Sequence, residues 1–505
     1  MQTNELLIGW SGKDVTPYGK KVNLTGQFHM RITDKVKNPV TVTALAISSS
    51  DMPENSAVFV SCDTAVIPMY LVRECEDKIK LMLPDFPTEQ LILNAIHGHA
   101  APTIREGLFD FSNLSSEEAE NFTYPKEYRD FLSDKIAEVA VESWQNRKKG
   151  AIAWGTDYVA AAHSRRAVYM TDFNPDAMPG LTIEKNARMY GKTDVPEFSH
   201  LEGYEDHTTQ FLFTFDANKK LTGAVVNIAC TAQICENNMQ ITADFWHDTR
   251  ELLRKEYGSD LFILPQCAPA GDLSPCVLVN PKAEARALAL KENVPLENLD
   301  YLTAKCREIG RKIKTAFDDT WKWAKKDIRE NAAVRHTVKT LNISRRMVTE
   351  GEYKKNLKWI DELKTSGNPN KNSFIARCQV IIDRYHEQNS KPTFPIEIRT
   401  IKLGDIAFTT NPFELYQDFG MRIQARSPAE QTFNIQLCGN RAPMNLIDSN
   451  PATFPLRGGT YLPTKRAEQG GSYGASVYCN PVGHTGGQQI VDNTICELNK
   501  LFKDS

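Results

Sequence analysis

Two histidines two positions apart, His97 and His99, close an apolar run, Gln90-Leu-Ile-Leu-Asn-Ala-Ile-His97-Gly-His99-Ala-Ala-Pro102. The run predicts a buried strand, and side chains two apart on a strand share a face. Both imidazoles then leave the strand's end together, with Gly98 keeping the space between them open. Strand ends are where active sites gather in α/β folds. A lone histidine there is commonly a hydrogen-bonded core residue. The pair, followed by a proline-containing loop, points instead to metal-assisted or proton-transfer chemistry.

Five further segments carry polar chemistry. Gly271-Asp272-Leu-Ser274-Pro275 follows a strand and joins a flexible glycine, an acid and a hydroxyl in a turn. Asn411-Pro-Phe-Glu414 lies at a strand-to-helix junction, where a carboxylate is either a favourable first-turn charge or a ligand. Tyr461 and Tyr473 stand twelve residues apart in glycine-rich surroundings. Ala161-Ala-His163-Ser-Arg165-Arg166 offers two guanidinium groups suited to a carboxylate. Gln27, His29 and Arg31 share one face if their segment is extended, a set suited to sugar hydroxyls and anions. Each also has a plain structural reading: Ser274 as turn former, Arg165 as surface charge, and Gln27, His29 and Arg31 as a polar strand edge.

The elements that must hold these groups alternate between strand and helix. Strands are predicted at Leu6–Gly12, Thr41–Ile47, Ala57–Cys62, Leu91–Ile96, Gln210–Phe215, Gly223–Ala229 and Leu261–Leu264. Helical spacing marks Val72–Leu83, Lys126–Arg147 and Phe245–Tyr257. Strands return at Ile396–Leu403 and Ile406–Thr410, with Leu403-Gly404-Asp405 as a hairpin signal, and Gln488–Phe502 closes the chain as a helix. This alternation predicts an α/β fold, one large mixed-sheet catalytic domain over residues 1–505. Residues 282–390, charged and mostly helical in pattern, are expected to form an insertion or subdomain within it.

Composition narrows the function classes. The 505 residues carry a net charge of −3, so there is no electrostatic case for nucleic acid or an anionic membrane. No apolar stretch approaches the roughly 20 residues of a membrane span. No signal peptide is visible, and the eleven scattered cysteines suit reduced, buried thiols. A cytoplasmic location is expected, or a periplasmic or secreted one if a leader was removed.

Taken together and in order, the segments resemble the neutral/alkaline (non-lysosomal) ceramidase superfamily. The opening Gly9-Trp-Ser-Gly-Lys-Asp-Val-Thr16-Pro17 is similar to that family's start. Its T-H-T-H-S-G-P resembles Ile96-His97-Gly-His99-Ala-Ala-Pro102, and its G-D-V-S-P-N resembles Gly271-Asp-Leu-Ser274-Pro-Cys276. Its glutamate segment resembles Pro412-Phe-Glu414, and its Y-V-T-T…Y-E-G resembles Tyr461-Leu-Pro-Thr464…Tyr473-Gly474. The resemblance implies the large α/β domain of those enzymes and a divalent metal, zinc, on His97, Glu414 and Tyr461. It also implies that His99, Arg165, Ser274 and Tyr473 line the site.

Three departures set the chain apart. The family's second zinc histidine, in a segment like A-C-H-P-T, is matched by Ala229-Cys230-Thr231-Ala232-Gln233, so Thr231 stands where an imidazole is expected. Threonine is a poor replacement donor. Too few residues follow Tyr473 for the family's C-terminal immunoglobulin-like sandwich of about 100 residues, which marks a short branch. The leader expected for an enzyme of membrane ceramide is not seen.

These departures favour a polar small-molecule or oligosaccharide substrate over a lipid. The expected activity is a dehydratase or lyase eliminating water or alkoxide from a uronic-acid-containing oligosaccharide. Arg165, Arg166, Asp272, Gln27, His29 and Arg31 would bind it, a histidine would take the proton, and Tyr461 or Tyr473 would protonate the leaving oxygen. The alternative is a ceramidase-type zinc amidohydrolase cleaving an N-acyl bond. A binding protein without activity is the third class.

Overall fold

Strands with one face toward helices and the other toward a second sheet build the interior. The computed structural model describes residues 4–503 apart from 28, 50–54, 108, 113, 172–185, 368–370 and 442–459. Eight strands form the larger sheet, in the spatial order Phe262–Cys267, Leu221–Ile228, Thr208–Asp216, Lys148–Tyr158, Leu6–Asp14, Thr41–Ser48, Ser56–Cys62 and Leu91–Ala95. The sheet is mixed: the two outermost pairs run parallel and the inner pairs antiparallel. A second sheet orders Val334–Ser344, Thr393–Leu403, Ile406–Thr410 and Gln431–Ile435.

Alternation along single strands assigns the layers. Phe211, Phe213 and Phe215 pack with Phe317 of the helix Tyr301–Ala324, and Phe317 meets Phe213 edge-on at 5.0 Å. Their neighbour Leu212 faces the other way, into a cluster with Phe59, Phe408 and Phe433 between the two sheets. The period of two along an extended chain produces this division. On the outer face of the smaller sheet, Ile396 and Ile398 pack with Phe419 and Ile490 from the helices Gln417–Arg426 and His484–Lys503. The result is four layers: helix, sheet, sheet, helix. Truncating Phe317 to alanine would cost about 3–5 kcal/mol, since its ring is fully enclosed.

The predicted strands and helices are present to within a few residues. The hairpin signal is a two-residue turn, with Leu403 paired to Ile406 and Gly404 at φ +59°, a conformation glycine takes freely. Several elements were not anticipated, among them Gln431–Ile435 of the second sheet and two longer strands. Lys148–Tyr158 lies in the middle of the large sheet. Within 282–390, the eleven-residue strand Val334–Ser344 edges the second sheet, and the helix Tyr301–Ala324 belongs to the main core. Among the described residues, no helix is long and apolar enough to cross a membrane.

Candidate active site

Parallel strand ends bring the chemistry together. The loop after Leu91–Ala95 carries His97 and His99, the loop after Leu221–Ile228 carries Thr231, Gln233 and Glu236, and the loop after Phe262–Cys267 reaches Ser274. From the second sheet, Ile406–Thr410 leads into Glu414, which pairs in parallel register with Tyr461. Carboxyl ends of parallel strands gather loops at one edge, and a site forms there.

The two imidazoles meet, but not through strand alternation. The strand ends at Ala95, and His97 sits in the left-handed region at φ +60°. A non-glycine residue there costs of order 1–3 kcal/mol and is held by its surroundings. The holding bonds are visible: Gly98 N–H donates to Thr64 O, His99 N–H to Ala232 O and Ala232 N–H to Ile96 O. Gly98 itself has room for a Cβ; the crowded glycine is Gly26, whose Cβ would lie 2.4 Å from the His99 ring.

This backbone places the two Nε2 atoms 3.0 Å apart. His97 Nδ1 lies 3.0 Å from the Ala65 carbonyl, which can only accept, so Nδ1 carries the proton and Nε2 presents a lone pair. That lone pair faces Glu414 Oε2 at 3.5 Å. Thr460 donates to the other Glu414 oxygen at 2.9 Å. His99 Nδ1 lies 3.3 Å from Glu236 Oε2, and Gln233 Nε2 lies 3.2 Å from His99 Nε2. Burial pushes the pKa of His97 down to about 4 and that of His99 to about 3, against the pull of Glu414. Both rings are neutral near pH 7.

Arg165 forms the opposite wall. It is 1 % exposed, and donates to Tyr190 Oη at 2.9 Å, Gly271 O at 2.8 Å and Tyr461 Oη at 3.2 Å. Burial disfavours its charge, but Tyr190, Tyr461 and Glu414 outweigh that and hold its pKa up. Burial raises the pKa of Tyr461 and Tyr473 well above that of an ordinary phenol, so both keep their protons. Their rings meet edge-on at 5.4 Å. Ser274 is one bond further out, 3.4 Å from Tyr190 Oη.

Several expected substrate contacts are spent inside the protein. Arg166 bonds Glu202 at 2.9 Å and the carbonyls of Gly471 and Ala467. Asp272 accepts from the Gln417 N–H at 2.8 Å, and burial pushes its pKa up to about 7. Gln27 bonds Glu236 O and Asn237, while His29 is exposed. Arg31 is buried and donates to Asn238 O, Thr25 O and His99 O, so it braces the histidine loop. Gln233, Glu236, Tyr190 and Arg105 were not singled out from sequence. Gln233 lies two residues from Thr231, the one hint available.

The donors suit a divalent cation at His97, Glu414 and Tyr461. The His97 lone pair and a Glu414 oxygen face each other with no hydrogen between them, and a carbonyl-bound Nδ1–H orients the ring as in metal-binding histidines. Thr231 is a poor substitute for an imidazole, being a neutral hydroxyl, and it donates to Gln233 Oε1 at 2.6 Å. Burial raises the Cys230 thiol well above its ordinary pKa, so it does not replace the imidazole. A separate buried group, Cys235, Asp244 and Cys306, has its ligating atoms within 4.8 Å of one another. There Asp244 already accepts from the backbone N–H groups of Cys235 and Phe245.

No protein-family model and no curated protein matches the chain. Solved structures similar to it include two ceramidases. A ceramidase complexed with C2 superimposes with a TM-score of 0.65 at 13 % identity, covering 98 % of this chain and 76 % of the other. The neutral ceramidase from Pseudomonas aeruginosa gives a TM-score of 0.61 at 14 % identity, covering 98 % and 75 %. The chain has the α/β fold of the neutral ceramidases.

Proposed function

We propose that this chain is a hydrolase that cleaves an acyl amide bond. The observation that carries the reading is the His97–Glu414 pair, Nε2 facing Oε2 at 3.5 Å with Nδ1 pinned, opposite the Tyr461–Arg165 pair. Two structures similar to the chain are ceramidases, which supports hydrolysis over elimination. A divalent cation held by His97 and Glu414, beside Tyr461, would supply Lewis acidity to the acyl carbonyl and to water. His99, neutral and with Nδ1 facing Glu236, would accept the proton of the attacking water at Nε2 in place of the Gln233 amide. The Tyr461 hydroxyl, polarised by Arg165, donates to the oxygen on which charge develops. His99 then returns its proton to the departing amine.

A second reading rests on Thr231, whose hydroxyl is bound to Gln233 where the family has an imidazole. With one donor fewer, the same groups suit elimination from a uronate. A histidine removes the proton beside the carboxylate and Tyr461 or Tyr473 protonates the departing hydroxyl or alkoxide. Incubation with a short-chain N-acyl sphingosine, an N-acyl amino acid and a uronate-containing oligosaccharide separates the two. Release of a free carboxylic acid supports hydrolysis. New ultraviolet absorbance from an unsaturated uronate, with no acid released, replaces it by the second reading.

A further inference from the structure

Several buried thiols in this chain turn to backbone carbonyls: Cys230 to Thr231 O, Cys267 to Ala268 O and Cys438 to Ile435 O. Cys235 and Cys306 are arranged differently. Their Sγ atoms face each other at 3.8 Å, and Cys306 Sγ lies 3.8 Å from Asp244 Oδ1. All three side chains are buried, and their ligating atoms lie within 4.8 Å of one another. They arrive from three elements: the loop after Leu221–Ile228, the residue that caps the helix Phe245–Tyr257, and the helix Tyr301–Ala324.

The spacing is that of a coordination shell. Two thiolates bound at about 2.3 Å to a tetrahedral ion stand roughly 3.8 Å apart, as the two sulfurs do here. A point equidistant from three atoms so spaced lies roughly 2–3 Å from each, which brackets the zinc–thiolate and zinc–carboxylate lengths. Asp244 is fixed in advance. Its Oδ2 accepts from the Cys235 N–H at 2.8 Å and its Oδ1 from the Phe245 N–H at 2.9 Å. Each oxygen keeps a further lone pair, and ligating carboxylates are commonly held by such bonds. The N-terminus of the helix Phe245–Tyr257 adds positive potential against three negative donors.

We propose that Cys235, Asp244 and Cys306 hold one thiophilic divalent cation of the zinc class, at a site separate from His97 and Glu414. Two sulfurs and one carboxylate select such an ion over magnesium or calcium. Its binding sends both thiol protons to solvent. The role is structural and reaches the candidate active site through the chain. Gln233 and Glu236, which contact His99, lie two residues before Cys235 and one after it. Tying Cys235 to Asp244 and Cys306 anchors that loop on two helices. The site does not depend on which bond the enzyme cleaves.

Titration of the whole chain with cadmium(II), in a thiol-free reductant, tests this without turnover. Thiolate-to-cadmium charge transfer absorbs in the ultraviolet, and a cation on His97 and Glu414 has no sulfur to contribute. The absorbance should rise to a plateau at one equivalent. Cys235→Ser and Cys306→Ser, each confirmed as folded by circular dichroism, should each lose half of it or more. Cys496→Ser, at an exposed thiol, should keep it all. No charge-transfer absorbance in the wild type overturns the proposal, and that result needs no variant. So does a loss of less than half in either folded variant, or a loss in Cys496→Ser. A Cys235–Cys306 disulfide in peptide maps of the freshly purified protein overturns it as well.

Discussion

Arg165 and Arg166 are neighbours in sequence, both are buried, and they belong to different regions of the molecule. Arg166 turns toward Glu202 and the carbonyls of Ala467 and Gly471, where all three of its bonds close within the protein. Arg165 turns the other way, toward Tyr190 and Tyr461. Adjacent side chains in extended backbone face opposite sides, so a single residue step separates scaffold from candidate site. The difference teaches that burial alone does not mark function. Arg166 has its carboxylate, Glu202, in direct contact, whereas Arg165 is bonded to phenol hydroxyls and a carbonyl and feels Glu414 only through space.

Breaking the scaffold side should have the largest effect. Arg166→Met leaves Glu202 buried and unpaired and should cost about 3–5 kcal/mol of stability, read by denaturant unfolding. Turnover per folded molecule should be unchanged. If stability is intact and turnover lost, the two arginines have been assigned the wrong way round.

On the site side, Tyr461→Phe and His99→Ala should each lower kcat by roughly 10²-fold, measured with folding confirmed by thermal melting. An unchanged rate removes that residue from the mechanism. Acid titration sharpens the same contrast. Burial lowers both imidazole pKa values, to about 4 and about 3, so the neutral base persists as pH falls until about 4. kcat/KM should therefore decline only below that point. An acid limb near the ordinary histidine value of about 6.5 would mean that the base lies in a wetter place than His97 and His99. The smallest effect belongs to His29→Ala. Being exposed, it should shift stability by less than about 0.5 kcal/mol and leave turnover alone; a large loss of rate would return it to the binding surface.

Much of the site was legible because its residues sit in short motifs. His97, His99, Glu414, Tyr461, Tyr473 and Arg165 form one chain of neighbours in the candidate site. Their reason for meeting was less legible: the histidines converge through a left-handed turn at His97, which strand periodicity does not predict. Gln233, Glu236 and Tyr190 enter from loops whose approach depends on sheet order, and sheet order was not readable from sequence. In the fold, Lys148–Tyr158 was missed because Lys148 and Lys149 precede two glycines that blur the alternation. Those glycines answer to packing: a Cβ at Gly155 would lie 2.4 Å from the Trp323 ring, and one at Gly150 2.6 Å from Phe215 O. Val334–Ser344 does alternate, buried against exposed, but sits between charged helices that dominated its surroundings.

The most direct test of the central claim is product analysis of wild-type protein and Tyr461→Phe with a short-chain N-acyl sphingosine and an acidic N-acyl amino acid. Hydrolysis by the His99–Tyr461–Arg165 wall predicts free carboxylic acid from wild type with at least one of the two, and roughly 10²-fold less from the variant. No acid released from either compound, or equal release by wild type and Tyr461→Phe, would contradict it.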